Sequence, residues 1–160
     1  MTTETKPSYS PGLAGVVAGE TEICWVDPNA GLMYRGYDIH EMAQKANFEE
    51  VAYLLLNGEL PTAAQLAEFS KGLAAERKLP EPVLEMLRLM PKNTHPMDML
   101  RTGVSMLAPF DPDLNDHSHD ANVRKAIRLL ARVSTLVTDG WRISQGHEPL
   151  EDKPDRKSVV

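Results

Sequence analysis

The chain has 160 residues, enough for one domain with its own core, and its 42% hydrophobic and 25% charged residues are the balance of an ordinary globular protein. A net charge of −6 argues against broad electrostatic binding to nucleic acid or an anionic membrane surface, and no apolar run approaches the length needed to cross a bilayer. Cys24 is the only cysteine, so no intrachain disulfide forms; with Met1–Pro11 polar and unlike a secretory signal, the expectation is a cytoplasmic protein with a disordered tail over residues 1–11.

The first regular element is a hairpin. Thr21–Val26 is rich in strand formers, and Leu32–Arg35 follows the turn-forming linker Asp27-Pro28-Asn29-Ala30-Gly31, which predicts two strands near residues 21–35. From Asp38 the chain reads as helix, with Asp38 and Glu41 as a capping pair ahead of Met42. Phe48–Leu56 is apolar almost all round, which predicts a buried helix stopped by Gly58. Thr62 and Gln65 form a capping box for the next helix, whose inward stripe is Leu66, Phe69 and Leu73. Pro80 and Pro82 open another, with Val83, Leu87 and Met90 on one face.

His95-Pro96 starts a helix over about 96–108 with Met97, Leu100, Val104 and Leu107 facing inward, and Pro109–Pro112 break it. A polar stretch over 111–120 leads into the longest helix, about 121–143. One stripe of that helix carries Val123, Ile127, Leu130 and Val137; a second carries Ala126, Leu129, Val133 and Leu136. Two adjacent apolar stripes exceed what a surface helix needs, so the helices near 96–108 and 121–143 are expected to face more protein, as a dimer surface. The fold class is therefore mainly α, with one small β-hairpin.

Candidate chemistry is sparse. Asp111, Asp113, Asp116, His117, His119 and Asp120 are metal-ligand residue types, but their spacing fits neither a calcium loop nor a helical His pair, and they read as a solvated connector. Arg124, Arg128 and Arg132 fall four apart and suit a coenzyme phosphate; the plainer reading is a solvated stripe opposite the apolar face. His95 has a general base's chemistry but no orienting carboxylate nearby in sequence, and reads as a capping or packed residue at a helix start. Cys24 lies in a strand with no cation evident beside it and reads as a packed thiol. Gly12, Gly15, Gly19 and Gly36 lack the spacing and the following Lys of a phosphate loop.

Four ordered segments carry a resemblance: Gly12–Thr21 (GLAGVVAGET), Tyr34–Ile39 (YRGYDI), Phe48–Thr62 (FEEVAYLLLNGELPT) and His95–Ser105 (HPMDMLRTGVS). In this order and spacing they resemble the citrate synthase family, 2-methylcitrate synthases included, over about residues 12–150. The resemblance implies the amino-terminal part of a large helical domain, in a dimer whose small domain closes over the substrates. It implies condensation of acetyl-CoA with oxaloacetate to citrate and CoA, without metal or redox cofactor. In that chemistry a carboxylate takes a proton from the acetyl methyl group, histidines polarise both carbonyls and arginines clamp the oxaloacetate carboxylates. In the family those groups lie downstream of the four segments. His40, His95, His117, His119 and His147 match no catalytic motif, so no catalytic, cofactor-binding or metal-binding residue is carried over to this chain.

The end of the chain departs from the family. Asp155–Val160 (DRKSVV) matches the translation of a common sequencing-adapter string, and residues 151–160 are expected to be an artificial or disordered tail. Three functions compete: a truncated, inactive piece of a citrate synthase; the same for a 2-methylcitrate synthase using propanoyl-CoA; and a non-catalytic helical dimerisation module.

Overall fold

The computed structural model describes residues 12, 16, 17, 19–29 and 31–150, so the tails expected at 1–11 and 151–160 lie outside the described residues. The elements within them are β1 (Cys24–Asp27), β2 (Gly31–Tyr34), β3 (Tyr37–Asp38), α1 (Ile39–Lys45), α2 (Phe48–Asn57), α3 (Ala63–Ala75), α4 (Glu81–Leu89), α5 (Pro96–Leu107) and α6 (His119–Ser144). A short 3₁₀ turn, Ala108–Phe110, follows α5. The architecture is mainly α, as the sequence suggests.

The hairpin pairs Cys24 with Tyr34 and Asp27 with Gly31, and the sheet order is β1-β2-β3. The third strand is an addition to the expected two. It turns back through Arg35 and Gly36, at φ 48° and 87°, the two positive angles that a tight hairpin turn of matching twist requires. Arg35 is an unusual residue there, which is why the turn is hard to read from the sequence. Cys24 is half-buried, while Trp25 and Val26 stay exposed.

Side chains start α1 and α3 as expected, and Asn47 starts α2 in the same way. Asp38 Oδ1 accepts from His40 N at 2.8 Å. Asn47 and Glu50 form a reciprocal box, with Glu50 N donating to Asn47 Oδ1 at 2.9 Å and Asn47 N to Glu50 Oε2 at 2.8 Å. Thr62 and Gln65 form a second. Gly58 ends α2 at φ 90°.

Helix α6 is the axis of the packing. Its far half joins α4 and α5 in one core, where Val83, Leu87 and Leu136 are almost wholly enclosed beside Leu79, Met99 and Leu107. Its middle joins α2 and α3 in a second, where Ala131 meets Ala52, Phe69 and Leu73, and Tyr53 stands edge-on to Phe69 with ring centroids 5.5 Å apart.

The inward faces differ from the expected ones in three helices. Helix α2 buries only Ala52, packed against α3 and α6, and Leu54, while Phe48 is exposed. Leu66 is only half-buried beside Phe69 and Leu73, whereas Met90, the cap residue of α4, packs half-buried against Val83 and Leu87 on the face expected of it. Helix α5 turns Met99, Gly103 and Leu107 inward and leaves Met97 exposed. On α6, whose two apolar stripes were expected to face more protein, Ala121, Arg128, Ala131, Leu136, Asp139 and Gly140 are buried, while Leu129 and Val137 are exposed. Two glycines set the contact between α5 and α6. A Cβ on Gly103 would stand 2.8 Å from Leu136 Cδ2, and one on Gly140 would stand 2.8 Å from Met99 Sδ, so bare backbone lets α5 and α6 approach along that line.

Candidate functional site

Two places gather side chains capable of chemistry. The first is the run of arginines on α6. Arg128 is 9% exposed and grips Asp111 in bidentate fashion, Nε donating to Oδ2 at 3.0 Å and Nη2 to Oδ1 at 2.7 Å. Its Nη2 also donates to Asp113 Oδ2. Arg124, one turn earlier, takes the same carboxylate in fork geometry, at 3.0 Å and 2.7 Å. Arg132 reaches the end of α3, donating to the Glu76 carbonyl at 3.2 Å and to Glu76 Oε2 at 2.8 Å.

This overturns two expectations. The arginines are not a uniformly solvated stripe, since Arg128 is buried and Arg132 lies partly beneath α3. Nor is the stretch over 111–120 wholly a solvated connector, since Asp111 and Asp113 are tied down on α6. The physical cause is neutralisation: two acids one residue apart meet two guanidinium groups one turn apart, and pairing makes their partial burial tolerable. The hydrogen bond from Arg124, then that from Arg128, holds the Asp113 carboxyl well below the usual carboxylate range. Burial pushes Asp111 upward, but the Arg128 hydrogen bond and the backbone N–H of Asp113 outweigh it, and its carboxyl ends below the ordinary value. The Asp111 and Asp113 bonds in turn raise Arg128. With their forks engaged by carboxylates, the arginines are not arranged around a phosphate. Among the described residues no group of three or more His, Cys, Asp or Glu side chains is placed to hold a metal ion.

The second place is a groove of about 480 Å³ between the α4–α5 turn, α5 and the last turns of α6. Met97, Leu100, Val137 and Trp141 are among its apolar lining, and Lys92 and His95 line it too. His95 is the N-cap of α5, its Nδ1 accepting from Met97 N at 3.2 Å, which is the capping role expected of it. Ser144 Oγ, also in the lining, donates to the Trp141 carbonyl at 2.7 Å. Met97, Val137 and Trp141 are 61%, 54% and 59% exposed, so the groove belongs to a broader apolar face. Its chemistry is that of a contact surface. All five histidines are exposed, in α1, at the start of α5, on either side of the α6 N-cap and beyond the end of α6, so none is enclosed in a dry pocket.

Sequence reasoning passed over Asp139, a carboxylate only 4% exposed, whose Oδ1 accepts from Leu150 N at 3.1 Å and holds the segment after α6 against the helix. An acid breaking the apolar pattern of a long helix is the one signal that marks it. Glu76, the partner of Arg132, carries no such signal, because the pairing spans 56 residues.

A sequence model described as "Citrate synthase, C-terminal domain" matches residues 12–160. The chain belongs to the citrate synthase family. It is 35% identical to the citrate synthase of Heyndrickxia coagulans over 148 residues, 92% of this chain and 40% of that protein. It is 42% identical to the 2-methylcitrate synthase of Mycobacterium tuberculosis over 150 residues, 93% of this chain and 38% of the relative. The crystal structure of citrate synthase from Thermotoga maritima superposes with a TM-score of 0.78 at 36% identity, covering 91% of this chain and 37% of that one. The chain thus spans about 40% of the length of the curated relatives it matches. The expected family resemblance and helical fold are both borne out, and the chain corresponds to a fragment of such a protein.

Proposed function

We propose that this chain is part of an acyltransferase that condenses acetyl-CoA with oxaloacetate and water to give citrate and CoA, and that by itself it does not turn over. The observation that carries the reading is the match to the family over residues 12–160, with 35% identity to a curated citrate synthase. The reaction needs a base within reach of the acetyl methyl group, a donor at the developing enolate oxygen and cations for two carboxylates. The exposed histidines and the carboxylate-bound Arg124, Arg128 and Arg132 support placing that machinery elsewhere in the enzyme. The role of this chain is then structural: a helical scaffold that supports the reaction centre and contributes the exposed Leu129, Val137 and Trp141 face to a homodimer. A cytoplasmic setting fits its single cysteine.

Purified chain given acetyl-CoA and oxaloacetate is expected to release no CoA above background, since losing a whole set of catalytic groups costs many powers of ten in rate. Residues 12–150 grafted in place of the matching part of the Heyndrickxia coagulans citrate synthase should retain oxaloacetate-dependent CoA release. A folded, soluble chimera without turnover would count against the assignment. Turnover by the chain alone that His95→Ala abolishes would place the reaction centre here after all.

The 42% identity to a 2-methylcitrate synthase favours a second reading, in which the acyl donor is propanoyl-CoA. The ratio of kcat/KM for the two acyl-CoA substrates in the whole enzyme decides between them.

A further inference from the structure

We draw no further inference here: the strongest candidate, the apolar groove between the α4–α5 turn and the last turns of α6 lined by Met97, Val137 and Trp141, carries nothing beyond the subunit contact already proposed, because nothing in the structure shows what covers it.

Discussion

Gly103 and Gly140 decide how near α5 comes to α6, and the two sites are not equivalent. A methyl group on Gly103 would press on Leu136, which is 2% exposed and has nowhere to go. The same group on Gly140 would meet the flexible thioether of Met99. Overpacking costs about 1–3 kcal/mol, against a gain of about 1 kcal/mol from replacing a helical glycine by alanine. Gly103→Ala should therefore lower the urea midpoint, and Gly140→Ala should lower it less; a Gly103→Ala protein as stable as the parent would show that Leu136 can yield. The acids facing Arg128 set the response to pH. Asp111 and Asp113 titrate lower in the folded chain than in the unfolded one, so the unfolded chain takes up more protons in acid. Their contribution is complete at neutral pH and is lost as pH falls below the ordinary aspartate value of about 3.9 towards the folded-state values. In Asp113→Asn the fall in urea midpoint between about pH 7 and about pH 3 should be smaller than in the parent, and an unchanged fall would remove this cluster from the account. These residues also mark the limit of sequence reading. Their types left a phosphate or a metal open beside the plainer readings of a solvated stripe and connector, and only the fold shows that they satisfy each other.

At the scale of elements, local signals were read well. The capping pairs at Asp38 and Thr62 and the stop at Gly58 mark the helix ends they were read from, and Asn47 adds a box of the same kind. Removing the Asn47 side chain leaves Glu50 N without its acceptor, so Asn47→Ala should cost about 1 kcal/mol in urea unfolding, as should Thr62→Ala. The two sites begin different helices, so the double variant should lose close to the sum. A neutral result at either position would mean that water replaces the cap without cost. Which face each helix buries was read less well. Hydrophobicity placed Met97 inward, but α5 approaches α6 along Gly103 and Gly140, which no apolar stripe reveals.

For the whole molecule, the exposed face of α5 and α6 is the consequential feature. Leu129, Val137, Trp141 and Met97 are too large and too apolar to leave in water together without cost to solubility. Leu136, expected on the same outward stripe, is instead enclosed in the core, so changing it would test folding rather than association. Val137→Glu with Trp141→Glu should keep the helical circular dichroism signal and shift the chain towards monomer in sedimentation. A parent chain that is already monomeric and soluble would refute the proposed contact. The sequence by itself determined the family, the mainly helical class and the caps that begin α1, α3 and α6's neighbour α5, because these depend on residues near one another along the chain. Only the tertiary structure decided that Arg128 is buried, that Arg132 meets Glu76 and that Gly103 faces Leu136, because each joins parts of the chain whose approach is set by packing.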